Sequence, residues 1–513
     1  MNRFHSLQTT IAMAMIALLV LPASLMVAGD RDGDTKTEDP TPAAIARAAA
    51  WLLDHQNANG SWTHDEWAKS GIAAGRKGAD TNKDGSPTGG QQAAAVRNTG
   101  MATLALIRSG APTDTEADAA RLASAIEKAL RWLVGNQQTN GLIALPDASF
   151  ASNYEHAVAM IALSEGLARV SDDELRSSIR TTLTRGVEYI MLAQNLKGDG
   201  RYGWRFGIRP GESSSLVTGW MLLALHHAAA AEIDVPKAVV DGGLAALIDL
   251  TGTVKAADGR EIWRTGYIQK AGTFAQMMSA MRGGYVVHDT GDAIHVHARH
   301  TIVNAMPEED KLGKAAVDSE VNELLADAPS MEKAKNDYLY WFFGTQALKE
   351  HGGAAWPKWA NSTRTALLGT QRTDGDATSQ CHGSWDTTQA WGVECGRVYD
   401  TAINLVTLTT VGPKSSTPEV KAGDKKDAPK AERTGQVFPA GSDEYKRFIE
   451  LLKLVVPASH PALTAGSASE AADSLGGLHR TKFERFLSSQ ISRTQGAERD
   501  LLREFRKLVR TEE

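Results

Sequence analysis

The sequence predicts an all-α protein: a closed (α/α)6 toroid of six helical hairpins, followed by a small C-terminal helical tail. Three observations predict it. A unit of helix, Gln-containing turn with glycine and an aromatic, loop, and second helix recurs through the middle of the chain. The second helix of each unit is apolar on nearly all sides, as in GMATLALI, AVAMIAL and GWMLLAL, so it must be covered on all sides. No polar capping unit ends the series, which favours closure over an open solenoid.

The chain has 513 residues, a formal net charge of -6, 42% hydrophobic and 23% charged residues. That composition fits a folded globular protein and excludes wholesale disorder. Near-neutral charge argues against a nucleic-acid protein. Two cysteines exclude a disulfide-dense scaffold and a four-cysteine metal site.

Residues 1–29 read as a signal peptide. Arg3 precedes the apolar run Ile11–Leu21, and small residues at Val27-Ala28-Gly29 stand before Asp30. The expectation is an exported protein (periplasmic, envelope or secreted) cleaved near Gly29, with no transmembrane span in the mature chain. Residues 30–42 form a polar linker, 43–412 the toroid, 413–442 a disordered linker rich in Lys, Pro, Ala and Glu, and 443–513 the tail.

Within 43–412 the predicted pairs are 44–62 with 99–109, 125–141 with 154–167, and 179–204 with 215–229. Then come 238–250 with 274–281, 314–325 with 337–349, and 360–385 with 399–408. The first helices carry one apolar stripe, for example Ile45, Ala49, Leu52 and Leu53, and form an outer ring. The second helices form an inner ring. In the tail, Leu501, Leu502, Phe505, Leu508 and Val509 share a helical face. Its slight basic excess allows association with an anionic envelope surface.

The strings Gln56…Gly60-Ser61-Trp62, Gln137…Gly141, Gln194…Gly203-Trp204 and Gln371…Gly383-Ser384-Trp385 resemble the glutamine–tryptophan repeat of squalene and terpenoid cyclases. Protein prenyltransferase β subunits share that barrel, and bacterial exported squalene-cyclase-like repeat proteins are the most similar. The resemblance implies a central cavity, and a Gln amide stacked on the next unit's Trp. It does not extend to the chemistry. The cyclases' Asp-x-Asp-Asp acid has its nearest counterpart in Asp289-Thr290-Gly291-Asp292, with Gly291 in place of the acid. The Asp-x-Cys pair of the prenyltransferases is absent. The Cys-Gly-Glu-Gln of thioester toroids is replaced by Cys395-Gly396-Arg397-Val398.

Six inner helices running the same way bring six N-termini to one mouth, which is mildly attractive to anions. Tyr154, Trp220, Tyr338, Trp341, Trp391 and Tyr399 are candidate ligand-binding residues. Glu155, His156, Asp337 and Asp400 are candidate acid–base residues, against the plainer alternative of helix caps and a structural histidine. Asp289, Asp292, His295, His297 and His300 could hold a divalent metal, or lie in a solvated insertion between repeats. Asp80–Gly85 resembles half a calcium loop but lacks its terminal glutamate, and reads as a turn. Cys381 and Cys395 are expected to form one disulfide in an oxidising compartment, the alternative being two free or metal-binding thiols near His382.

The function expected from these residues is ligand binding in, or at the mouth of, the central cavity. The ligand would be a small molecule, a lipid-like molecule or a polysaccharide. The alternative is an enzyme of isoprenoid chemistry or of carbohydrate chemistry, since glycosidases and lyases also use α/α toroids.

Overall fold

The computed structural model describes residues 39–413, apart from 64–65, 87, 89–93, 112, 147–151, 273–277, 280, 302–310 and 374. Further on it describes 438, 442–453, 461–464, 467–473, 475, 483, 486–487 and 496–509. The expected signal peptide, most of both linkers and most of the expected inner helix at 274–281 lie outside the described residues. Among the described residues no helix is long and apolar enough to cross a membrane.

The chain contains two compact units, divided near Ser416. In the first, the helices are α1 (Thr41–Asp54), α2 (Trp67–Ala73), α3 (Ala95–Ser109), α4 (Glu116–Gly135), α5 (Ser152–Gly166), α6 (Asp173–Ala193), α7 (Ser215–Ala230) and α8 (Lys237–Leu250). They continue as α9 (Thr290–Thr301), α10 (Lys311–Ala326), α11 (Tyr338–His351), α12 (Ala355–Thr370) and α13 (Gly392–Val411). Two antiparallel ribbons interrupt them: β1 (Leu196–Lys197) with β2 (Gly200–Arg201), and β3 (Thr251–Lys255) with β4 (Glu261–Thr265).

The inner ring closes. Helix α3 packs on α5, α5 on α7, α7 on α9, α9 on α11, α11 on α13, and α13 back on α3. Helices α1, α4, α6, α8, α10 and α12 lie outside, each against its own inner partner or partners. The chain is therefore an all-α toroid of six hairpins. The inner helices are buried nearly end to end: α3 is buried from Ala95 through Ile107. That burial requires the all-round apolar sequence, at about 25 cal/mol per Å² of apolar surface removed from water.

The repeated turn has a concrete job. Gln56 Nε2 donates to Gly60 O at 3.0 Å and to Ala125 O of α4 at 2.8 Å. Gln137 donates to Gly141 O at 3.0 Å and to Thr182 O of α6 at 2.8 Å. Gln194 donates to Tyr202 O at 2.6 Å and Val239 O of α8 at 2.8 Å. Gln371 donates to Gly383 O at 3.0 Å and Ala44 O of α1 at 2.9 Å, so the last hairpin grips the first. Each amide ties its own turn to the next outer helix. The contact is a hydrogen bond from the glutamine amide to backbone.

The tryptophans turn back into their own hairpins. Trp62, Trp204 and Trp385 donate Nε1–H to Leu52 O, Ile190 O and Leu367 O at 2.9, 2.8 and 3.0 Å. Their backbone N–H groups donate to Thr99, Thr218 and Thr401 of the inner helices. The turn glycine meets the neighbouring hairpin. Gly141 has φ +91°, and a Cβ there would lie 2.2 Å from Arg185 O. Gly60 and Gly383 share that positive φ and that close approach, which only glycine accepts without strain.

One inner helix differs from the expectation. The fourth hairpin pairs α8 with α9, the His-rich segment, not with 274–281. Helix α9 is buried from Gly291 to Arg299 although it carries Asp292, His295, His297 and Arg299. The polar groups are met by partners: Asp292 by Arg264 and the Thr265 N–H, and His295 by Glu320 of α10 at 2.6 Å. Buried polar groups so paired escape most of their desolvation cost.

The second unit has α14 (Asp443–Lys453), α15 (Ala468–Asp473) and α16 (Gly496–Val509). Phe448, Leu452, Phe483, Leu487, Leu502, Phe505 and Val509 form its own core, so the apolar face of α16 read in the sequence packs into it.

Candidate functional site

The N-terminal parts of all six inner helices line one cavity of about 370 Å³ at the ring's mouth: Arg97 of α3, Tyr154 and Glu155 of α5, Ser215 and Leu216 of α7, Thr290 and Gly291 of α9, Tyr338 and Leu339 of α11, and Glu394, Cys395 and Tyr399 of α13. Arg205, Phe206, Tyr267, Met278, Arg282, His288, Asp289, Gln389 and Trp391 complete the wall from the loops. This volume lies in the range of small-molecule sites.

Aromatic and cationic groups alternate on the floor. The Arg97 guanidinium carbon lies 5.0 Å from the Tyr399 ring centre and 5.7 Å from that of Tyr154. The Tyr154 and Tyr399 hydroxyls hydrogen-bond each other. At the rim, the Arg282 guanidinium sits 4.5 Å over the Trp391 ring and pairs with Glu394. Trp391 also donates Nε1–H to Asp337 Oδ1 at 3.2 Å. Arg205 pairs with Glu212.

Of the six aromatics expected to bind ligand, Tyr154, Tyr338, Trp391 and Tyr399 line the cavity. Trp220 and Trp341 do not. Trp220 stacks on Phe342 at 5.3 Å and meets Phe343 edge-on at 4.9 Å. Trp341 is buried against Tyr338. Both lie deeper on their helices, where large side chains fill the ring. The hollow is at the mouth rather than through the centre.

The four acid–base candidates separate. Glu155 is buried and lines the cavity. His156 does not: its Nδ1 accepts from Ile143 N at 3.0 Å and its Nε2–H points to Gly186 O at 3.2 Å. It occupies in the second hairpin the place that Thr99, Thr218 and Thr401 hold in others. Burial lowers its pKa to about 4, so it stays neutral. Asp337 caps α11, accepting from Tyr340 N at 3.1 Å, and also accepts from His288 N at 3.1 Å. Asp400 is fully buried, accepting from Gln389 Nε2 at 3.0 Å. Asp337 and Asp400 do not appear on the cavity wall, so the four do not converge as an acid–base group.

The metal candidates diverge round α9. Asp289 and Asp292 share Arg264 at 2.6 and 2.8 Å. His295 faces Glu320, His297 Nδ1 meets Thr301 at 3.0 Å, and His300 meets His351 at 3.1 Å. Among the described residues, no three His, Cys, Asp or Glu converge as a metal-holding group. Burial lowers His297 to about pKa 3 and His300 to about 4. Asp80, in the segment read as a turn, pairs with Arg397 at 2.6 Å. The segment is a turn closed on a guanidinium.

The expected disulfide is not formed. Cys381 and Cys395 are both free and buried. Cys381 Sγ faces Thr81 O at 3.6 Å, whereas Cys395 lies on the cavity wall. Burial pushes the Cys395 thiol up to about 12, which disfavours the thiolate a nucleophile needs.

Sequence reasoning passed over Arg97, Arg205, Arg282 and Glu394. Arg97 carried a signal: it is a charge in the first turn of an inner helix, AVRNTGMATLALI, that has to be buried.

Fold and site together define an α/α toroid whose inner-helix N-termini enclose a ligand-sized cavity. No family model and no curated protein matches the sequence. Solved structures with some likeness include an inactive variant of the α-1,6-mannanase GH76A of Salegentibacter sp. HEL1_6, in complex with α-1,6-mannotriose. It is 9% identical, covers 72% of this chain and 98% of its own, and has a TM-score of 0.43. A GH76 α-mannanase of Bacteroides thetaiotaomicron is also 9% identical, with 72% and 97% covered and a TM-score of 0.42. A family 10 polysaccharide lyase from Cellvibrio cellulosa is 17% identical over 45% of this chain and 81% of its own, with a TM-score of 0.29.

Proposed function

We propose that the protein binds a carbohydrate at the mouth of the toroid. The supporting observation is the make-up of the wall. Faces of Tyr154, Tyr399, Trp391, Phe206 and Tyr267 stand among Arg97, Arg205, Arg282, Glu155, Asp289 and Glu394. A sugar ring matches such a wall, because its C–H face stacks on an aromatic while its hydroxyls bond to charged edges. An isoprenoid would cover the Arg97 Nε–H, which lacks an acceptor among the described residues, without giving it one, which costs free energy.

A panel of purified oligosaccharides and isoprenoid lipids, titrated by calorimetry, tests this. At least one glycan is expected to bind, and Trp391→Ala to weaken it about tenfold with unchanged helical circular dichroism. Binding of an isoprenoid but no glycan would sink the reading.

A second reading, cleavage of the bound glycan, is favoured by two carboxyl groups in unlike settings on the wall. Burial raises the Asp289 pKa against the pull of Arg264, which suits a proton donor, and Glu155 of α5 lies on the same lining. Release of new reducing ends or unsaturated products from a bound glycan carries the reading from binding to catalysis.

The chain's place outside the cytoplasm, after removal of residues 1–29, belongs to the same proposal. An amino terminus at Asp30 in protein recovered from envelope or medium is the expected outcome; an intact Met1 overturns it.

A further inference from the structure

Arg97 is only 7% exposed and lines the cavity floor. Its Nη2–H donates to Glu394 O at 2.8 Å, and its Nε–H has no acceptor among the described residues. Among the described residues it has no carboxylate at ion-pair distance. The neighbouring arginines differ: Arg205 has Glu212, Arg282 has Glu394, and Arg264 has Asp289 and Asp292. A guanidinium does not shed its charge inside a protein, and a buried charge without a counter-ion costs several kcal/mol. The Tyr154 and Tyr399 faces offset part of that through their π clouds. Glu155, on the same wall, attracts the cation from farther off. The six helix N-termini converging here add positive potential to the same space.

We propose that Arg97 receives the carboxylate of an acidic sugar, so that the glycan held at the mouth contains uronate. This rests on the carbohydrate reading of the site and names the sugar class within it. A planar guanidinium matches a carboxylate better than it matches a hydroxyl, and charge-assisted bonds are about twice as strong as neutral ones. The aromatic faces then take the sugar ring, and Glu155 is placed to accept from its hydroxyls.

The test uses the intact protein and matched probes. These are short oligomers of galacturonate, glucuronate and mannuronate, each beside its methyl ester and its neutral parent. The acid is expected to bind at least tenfold tighter than the ester or the neutral sugar. Arg97→Gln should shrink that preference to under twofold, with helical circular dichroism unchanged. Should the variant fail to fold, the acid-to-ester ratio on the unaltered protein decides alone. Equal affinity for acid and ester, with both bound, overturns the inference and leaves the carbohydrate reading standing. Binding of no sugar of any kind overturns both.

Discussion

Replacing Arg397 by methionine is expected to destabilise the toroid by about 3–5 kcal/mol, the cost of breaking a buried ion pair from one side. The Arg397 side chain is fully buried, 2.6 Å from Asp80 and 3.0 Å from Asp386. It also donates to Ser384 Oγ, Trp385 O, Thr81 O and Asn82 Oδ1 at 2.9 to 3.2 Å. These partners come from the loop after the first hairpin's outer helix and from the turn of the sixth hairpin, so Arg397 joins the two ends of the ring. Methionine fills much of the volume but leaves the part-buried Asp80 without its cation. Asp386 suffers less, because Arg372 also reaches it at 2.8 Å. Adding Asp80→Asn to Arg397→Met should therefore recover a good part of the loss. All 12 tryptophans precede residue 414, so fluorescence in a urea titration reports the ring without the tail. A single-variant loss below about 1 kcal/mol, or no recovery in the double variant, contradicts this account.

The ring closure was legible because it is built from local repeats. Gln56, Gln137, Gln194 and Gln371 each follow an outer helix and precede a turn glycine, and a recurring turn requires a recurring neighbour. The exchange of threonine for His156 was not legible. A single histidine beside Glu155 looks catalytic until its two ring nitrogens are seen to satisfy Ile143 N and Gly186 O. Helix α9 was misread for a related reason. The rule that inner helices are apolar holds only where polar side chains have no partners, and Glu320 and Arg264 supply partners from elements distant in sequence. The cysteine pairing failed because closeness in sequence does not set direction. Gly396, at φ +77°, breaks the start of α13 just after Cys395, which lies on the cavity wall. The mouth was legible as a place, since helix direction determines it. Its cationic floor was not, because one arginine in an apolar helix has no pattern to repeat.

The strongest pH effect is expected from Asp400, and Asp400→Asn should stabilise the ring by on the order of 4 kcal/mol at pH 7. Asp400 is fully buried beneath the mouth; its Oδ1 accepts from Gln389 and its Oδ2 has no partner among the described residues. Burial pushes its pKa up to about 8, against the hydrogen bond from Gln389 and the pull of Arg97 and Arg397. The other groups felt there, Tyr338 of α11, Tyr154 of α5 and Cys395, are all held neutral at pH 7 by burial. The folded chain thus keeps a proton that the unfolded chain, with an ordinary carboxyl near 3.8, gives up. Stability contributed by this group is greatest below pH 4. It falls by about 1.4 kcal/mol per pH unit from there to about pH 8, and is level above. Asparagine keeps the carbonyl that Gln389 bonds to and cannot ionise. The variant's stability should therefore match the parent near pH 4 and exceed it increasingly up to pH 8. Urea midpoints from tryptophan fluorescence across pH 4–9 measure the difference. A gap that stays constant with pH would mean that Asp400 is ionised in the fold, held by Arg97 and Arg397. In that case Arg97 would already have its counter-ion, and the case for an acidic ligand would fall with the prediction.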